Sequence, residues 1–256
     1  MTYEPIEALR HILDQDETYH AMCVLPSAEV AEIMARAGFD WLLLDMQHAL
    51  VDRQTMVNML RALEISRVPA MVRAPWNRPE LVGWVLDAGA AGVVAPMINS
   101  GEEARELVKA CRYAPAGSRS WGALRTMLAR PEYSATMGDR VVVAAMIETA
   151  AAVENLDEIL DTEGLDMIVV GQSDLAVSYG LHPAKGRKDP GHVERLQRIG
   201  KGCRDRCLHA TVNCGSREEA NALRRMGYRD FVIDNDFGLL RRAAAAALSE
   251  YRGSAA

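Results

Sequence analysis

Short apolar runs rich in Val, Ile, Leu and Ala recur along the 256-residue chain, and each is followed by a longer stretch with apolar residues at helical spacing. This alternation constrains the fold most. Continuous apolar runs suit strands buried on both faces, and parallel strands need crossover helices between them. Eight strands are predicted: Ala21 to Leu25, Trp41 to Asp45, Ala70 to Arg73, Gly92 to Pro96, Val141 to Ile147, Met167 to Gly171, Ala210 to Asn213, and Phe231 to Ile233. Amphipathic segments follow them at Ala28 to Ala37, Arg53 to Leu63, Pro79 to Ala88, Glu102 to Cys111, Ala151 to Leu160, His192 to Cys207, Arg217 to Met226 and Gly238 to Tyr251. Gly38, Gly89 and Gly227 stand where helices need a left-handed residue before the next strand. The pattern predicts an α/β fold of the (β/α)8 TIM-barrel type, one domain over residues 1–256, in keeping with the usual ~250-residue length of such a barrel. An open doubly wound sheet is the alternative, but no GxGxxG follows the first strand.

One connection breaks the rhythm. The stretch from Tyr113 to Arg140, with Pro115-Ala116-Gly117 and many arginines, has the length of a functional or intersubunit loop. A net charge of −6 without a dense Lys/Arg stripe argues against a nucleic-acid groove and for a small ligand. Met1 to Glu17 lacks a signal-type apolar core, and no run of 18 apolar residues follows, so a cytoplasmic location away from membranes is expected. The five cysteines include no CxxC, which points to neither a disulfide framework nor a zinc cage. Cys203 and Cys207 fit one helix face as small core residues.

In a (β/α)8 barrel the active site lies at the carboxyl ends of the strands, so polar residues closing apolar runs are the candidates. Strand two ends in Asp45, followed by Gln47 and His48; strand three ends in Arg73; strand five runs into Glu148; Ser173 and Asp174 follow strand six. Asn213 and Asp234 close strands seven and eight. Glu148 and Asp174 would face one mouth from neighbouring strands, where two carboxylates repel unless a cation or proton lies between them. A hard divalent ion with open water positions fits such oxygen ligands. The residues equally allow both acids to cap the following helices. Asp45 stands three positions before His48, a spacing at which a carboxylate can orient an imidazole as general base. Arg73 must meet an anion, either a substrate or an acidic side chain, because guanidinium keeps its charge. Backbone N–H groups from Gly171 to Asp174 offer a carboxylate site at a helix start. His11, His20, His182, His192 and His209 read as structural or solvent-facing. The four lysines, Lys109, Lys185, Lys188 and Lys201, lie away from strand ends, which argues against imine chemistry.

Several segments are similar to the HpcH/HpaI family of class II, metal-dependent 2-keto acid aldolases, among them 4-hydroxy-2-oxoheptanedioate and 2-dehydro-3-deoxy-sugar-acid aldolases. They are Ala37-Gly38-Phe39-Asp40-Trp41, Asp45-Met46-Gln47-His48, Val72-Arg73-Ala74-Pro75-Trp76-Asn77, Leu86-Asp87-Ala88-Gly89-Ala90, Ala95-Pro96-Met97-Ile98-Asn99, Arg112-Tyr113-Ala114-Pro115-Ala116-Gly117, Met146-Ile147-Glu148-Thr149 and Gly171-Gln172-Ser173-Asp174-Leu175. The resemblance implies a homohexamer that exchanges its last helix, with Mg, Mn or Co as cofactor. It implies Glu148 and Asp174 as metal ligands, His48 as base with Asp45 its partner, and Arg73 beside the keto or enolate oxygen. Ser173 and Asp174 would offer N–H groups to the substrate carboxylate. Gln47 stands where the commoner motif has glutamate, Met146 where many members have glutamine and Gln172 where proline is usual. The first two predict an altered substrate pocket; nothing in the sequence accounts for the third.

The expected reaction cleaves a 4-hydroxy-2-keto acid reversibly into pyruvate or hydroxypyruvate and an aldehyde, through a metal-stabilised enolate. A CoA-thioester lyase of the malyl-CoA or citramalyl-CoA type is one rival, with Arg112, Arg119 and Arg125 as candidates for its CoA groove. A non-catalytic 2-keto-acid-binding protein is the other.

Overall fold

The computed structural model describes residues 3–252, and within them the alternation closes into a barrel. The first two and last four residues of the expected single domain lie outside the described residues. Helix α1 (Pro5–Leu13) leads into β1 (Thr18–Cys23), α2 (Ala28–Arg36), β2 (Trp41–Asp45), α3 (Arg53–Ser66), β3 (Ala70–Arg73), α4 (Pro79–Asp87) and β4 (Gly92–Ala95). Next come α5 (Gly101–Cys111), α6 (Leu124–Ala129), α7 (Ala135–Gly138), β5 (Val142–Ile147), α8 (Ala150–Glu154), α9 (Leu156–Leu160), β6 (Met167–Val170) and α10 (Gln172–Ser178). A 3-10 turn (Lys185–Lys188) precedes α11 (Pro190–Asp205), β7 (His209–Asn213), α12 (Arg217–Met226), β8 (Asp230–Asn235) and α13 (Asp236–Arg252). The strands pair in chain order, and β8 returns in parallel to β1.

Residues buried on both strand faces explain the unbroken apolar runs. All five residues of β2 and all six of β5 are buried. Trp41, Leu42, Leu44, Met71 and Phe231 are among the largest fully buried side chains, each stabilising the fold by roughly 1.5–3 kcal/mol. The amino-terminal end carries a polar plug. There the Asp230 carboxylate accepts from Thr18 Oγ1 at 2.7 Å and Trp41 Nε1 at 3.3 Å, and meets His20 Nδ1 at 3.1 Å. Gly38, Gly89 and Gly227 have φ of 96°, 92° and 113°, the left-handed joints expected between helix and strand.

Strand β1 differs from expectation at both ends. It begins at Thr18 and stops at Cys23 because the N–H groups of Val24 and Leu25 turn to the Asp236 carboxylate, at 2.9 Å from Val24 and 3.1 Å from Leu25. The segment expected as one helix over Ala151 to Leu160 is broken at Asn155, whose side chain donates to the Asn99 carbonyl at 2.8 Å. The long connection from Tyr113 to Arg140 folds into α6 and α7 around Tyr113, Trp121 and Tyr133. Helix α1 was not expected; Ile6, Leu9 and Leu13 bury its inner face. Beyond Asp236, α13 leaves Phe237, Leu240, Leu248 and Tyr251 exposed.

Candidate active site

At the carboxyl end of the barrel a cavity of about 450 Å³ is lined by Arg73, Met146, Glu148, Gly171, Gln172, Ser173, Asp174, Arg187, Asn213 and Asp234, with apolar strand residues at its floor. Its polar residues come from the ends of β3, β5, β6, β7 and β8 and from the 3-10 turn, which is how this architecture assembles active sites. A larger cavity of about 760 Å³ lies beside α13, lined by Tyr19, Cys214, Arg217, Leu239 and Arg242. The smaller one holds the converging carboxylates, and chemistry takes precedence over size.

Pairing of Ile147 with Val170 sets Glu148 beside Gly171. The fit is close: a Cβ on Gly171 would lie 2.4 Å from Glu148 Oε2, so only glycine leaves the carboxylate room. Met97, held at φ 58°, donates its N–H to Glu148 Oε1 at 2.8 Å. Glu148 is 2% exposed. Burial raises its pKa above the usual glutamate range, and the neighbouring Asp174 charge adds to the rise against the lowering by the Met97 N–H and Arg73. The capping alternative fails for both acids. Helix α8 is capped by Thr149 Oγ1, and α10 begins at Gly171 without a side-chain cap. Both residues line the cavity, near enough for the Asp174 charge to act on Glu148. Two acids, one of them desolvated, suit a hard divalent ion that keeps positions for water and substrate oxygens. Among the described residues no third His, Cys, Asp or Glu completes a protein cage.

Asp45 and Arg73 are register partners on β2 and β3. Arg73 Nε donates to Asp45 Oδ1 at 2.9 Å and Nη2 to Oδ2 at 2.7 Å. Burial pushes the Asp45 carboxyl up. The Arg73 hydrogen bonds and charge, with the N–H groups of Gln47 and His48, outweigh it and hold the group below the ordinary aspartate range. The anion expected for Arg73 is thus Asp45 itself. The expected contact between Asp45 and the His48 imidazole is corrected: both carboxylate oxygens bond Arg73, and Asp45 meets His48 through its backbone N–H at 3.4 Å. His48 is exposed on the loop after β2, outside the cavity wall. Gln47 is half-buried on the same loop, its Oε1 buried without a partner among the described residues.

Two departures acquire local explanations. The Met146 sulfur lies 4.0 Å from Arg73 Nη1, lining the arginine's flank. Gln172 is buried; its Nε2 donates to the Asn213 carbonyl at 2.6 Å, and its Oε1 lies 3.3 Å from His192 Nε2. Gln172 therefore ties the β6 end to β7 and α11, work that a proline ring could not do. Burial and the charges of Arg195 and Arg187 lower the His192 pKa, favouring its neutral ring. Sequence reasoning missed Arg187, whose Nη1 donates to Asn213 Oδ1 at 2.8 Å inside the cavity wall. Its polar turn carried no periodic signal.

The arginines considered for a CoA groove are engaged elsewhere. Arg119 pairs with Asp87 at 2.9 Å, Arg112 donates to the carbonyls of Val141 and Gly164, and Arg125 binds the Ala88 carbonyl and Glu64.

A family model described as HpcH/HpaI aldolase/citrate lyase matches residues 21–215. The chain is 33% identical over 229 residues to a hydroxypyruvate/pyruvate aldolase of Rhizorhabdus wittichii, covering 89% of this chain and 91% of that one. It is 32% identical over 240 residues to a 4-hydroxy-2-oxo-heptane-1,7-dioate aldolase of Escherichia coli, covering 90% and 89%. A crystal structure of a HpcH/HpaI aldolase/citrate lyase family protein from Burkholderia cenocepacia superposes with a TM-score of 0.88 at 30% identity, covering 96% of this chain and 99% of that one.

Proposed function

The chain belongs to the HpcH/HpaI aldolase/citrate lyase family and is a carbon–carbon lyase of the aldolase kind, and we propose that it cleaves a 4-hydroxy-2-keto acid reversibly into pyruvate or hydroxypyruvate and an aldehyde. The observation that carries this reading is the meeting of Glu148, Asp174 and Arg73 in one cavity at the strand ends. When bound by Glu148 and Asp174, a divalent ion such as Mg, Mn or Co supplies Lewis-acid stabilisation of negative charge developing on the keto oxygen. Arg73, oriented by Asp45, adds fixed positive charge there. Ser173 and Asp174 offer backbone N–H groups to the donor carboxylate. Gln47, on the loop after β2, is a further substrate contact in this reading.

His48, on the exposed loop after β2, takes the proton of the C4 hydroxyl. The C3–C4 electron pair then moves toward the keto group, the aldehyde leaves, and proton return at C3 gives the 2-keto acid. The test compares a 4-hydroxy-2-keto acid with malyl-CoA at saturating divalent ion. Cleavage of the free keto acid alone fits the proposal; preference for the thioester contradicts it, as does full activity after chelation. The engaged Arg112, Arg119 and Arg125 weigh against the thioester reading.

The acting form is a homohexamer of one domain over residues 1–256 in the cytoplasm, with α13 exchanged between subunits. The apolar side chains that α13 leaves exposed and the 760 Å³ cavity beside it support the exchange. The five unpaired cysteines suit a reducing compartment. No helix among the described residues is long and apolar enough to cross a membrane.

A further inference from the structure

Two arginines line the cavity, and only one is neutralised by the protein. Arg73 is paired with Asp45 through two hydrogen bonds. Arg187 is held instead by a neutral amide oxygen, Asn213 Oδ1 at 2.8 Å, and among the described residues no carboxylate lies within 4.0 Å of it. Its Nε is buried and has no partner there.

The amide cannot turn away without loss. Asn213 Nδ2 donates to the Val232 carbonyl at 3.3 Å, which fixes Oδ1 toward Arg187, and the Asn213 carbonyl is taken by Gln172 at 2.6 Å. Gln172 is in turn set against buried His192. The cation is therefore presented by a braced wall, with part of its hydrogen-bonding fork unfilled. Such a group attracts an anion, because guanidinium cannot shed its charge on desolvation.

Position decides which end of a substrate it meets. In a closed barrel of eight strands in sequential order, β3 and β7 lie opposite one another. Arg73 stands on β3, so a keto oxygen set against it leaves the opposite, β7 side of the cavity for the rest of the substrate. Arg187 closes the β7 side, where the substrate beyond C4 must extend. The other acid near that wall, Asp234, is paired with Arg242 and accepts from the Asn235 N–H at 2.7 Å.

We propose that Arg187, braced by Asn213, is a specificity-determining residue that binds a carboxylate on the acceptor aldehyde, making the preferred acceptor an oxo acid. One guanidinium balances a single negative charge, which favours a carboxylate over a phosphate dianion. This inference rests on the aldolase reading.

The experiment measures aldol addition of pyruvate to glyoxylate and succinic semialdehyde against acetaldehyde and butanal, with a phosphorylated aldehyde as a further arm. Wild type, Arg187→Ala, Arg187→Gln and Arg187→Lys are compared, and pyruvate methyl-proton exchange is followed in each. The wild type should favour the oxo acids. The Ala and Gln variants should lower the ratio of kcat/KM for oxo acids over uncharged aldehydes by about 10- to 100-fold, the range for losing a charge-assisted hydrogen bond. The Lys variant should restore part of the preference, and pyruvate KM should hold within about twofold. Equal loss on both aldehyde classes, a preference for the phosphate, or a rise in pyruvate KM without a change in the ratio overturns the proposal. Absence of pyruvate exchange in the wild type with metal would instead overturn the aldolase reading beneath it.

Discussion

Asp45 balances Arg73 beneath the cavity, and its role is electrostatic as much as geometric. The pair is nearly buried, with side-chain exposures of 2% for Asp45 and 11% for Arg73. Asp45→Asn leaves Arg73 without its counter-charge, so a loss of about 3 to 5 kcal/mol in urea unfolding at pH 7 is expected. The Asp45 pKa is lowered in the folded protein, so its contribution is present above the unfolded carboxylate value and disappears as pH falls through the folded value. The stability gap between wild type and the Asn variant should therefore narrow below about pH 4; a gap constant from pH 7 to pH 3 would contradict this assignment. Glu148 is the opposite case, because burial and Asp174 raise its pKa. Glu148→Gln should keep the thermal stability of the metal-free protein. It should remove the rise of roughly 5 to 10 °C expected for wild type at a hundredfold excess of Mn²⁺ over its Kd. Calorimetry with and without the ion reads both effects.

At the scale of elements, the β5 and β6 ends pack so closely that glycine at 171 is a requirement of space. Gly171→Ala puts a methyl against Glu148 Oε2 and Cβ. Overpacking of this kind costs about 1 to 3 kcal/mol, and displacement of the carboxylate should weaken metal binding by about tenfold or more in isothermal titration. Unchanged affinity would mean that Glu148 is not a ligand. The strands were legible because they are buried on both faces, and β2 and β3 match their expected bounds. The eight-strand closure was readable from the count of eight strand-helix units, with the helix-ending glycines marking the repeat. Helix α1 is also written in the sequence: Pro5 opens it, and Ile6, Leu9 and Leu13 fall on one face. The break at Asn155 was hidden because its cause is a carbonyl 56 residues away. Site legibility followed the same division. Arg73 closes β3, Glu148 follows β5 and Asp174 lies in the first turn of α10, positions that the strand-helix alternation brings to the cavity wall, whereas the bond of Gln172 to Asn213 spans 41 residues and the placement of Arg187 depends on a turn without periodicity. Proximity of Asp45 and His48 in sequence pointed to a side-chain pair, but the register of β2 with β3 gave the carboxylate a stronger partner.

On the scale of the whole molecule, α13 is anchored at Asp236 and largely unpacked beyond it. A chain ending at Gly238 keeps the anchor that holds Val24 and Leu25 but loses the exposed helix. Light scattering should show its mass fall well below that of the full-length assembly while its far-UV circular dichroism keeps the barrel signal; an unchanged assembly mass would contradict helix exchange. The cavity unites the account, because enolate stabilisation draws on charge gathered at its strand ends. Its most direct test is pyruvate methyl-proton exchange in D2O, followed by NMR for chelator-stripped protein, for the same protein with Mg²⁺, Mn²⁺ or Co²⁺ restored, and for Asp174→Asn. Exchange should be absent without metal, return with at least one of the ions, and stay absent in the variant. Full exchange in the stripped protein, or none under any of these conditions, would contradict the proposed metal-assisted aldolase.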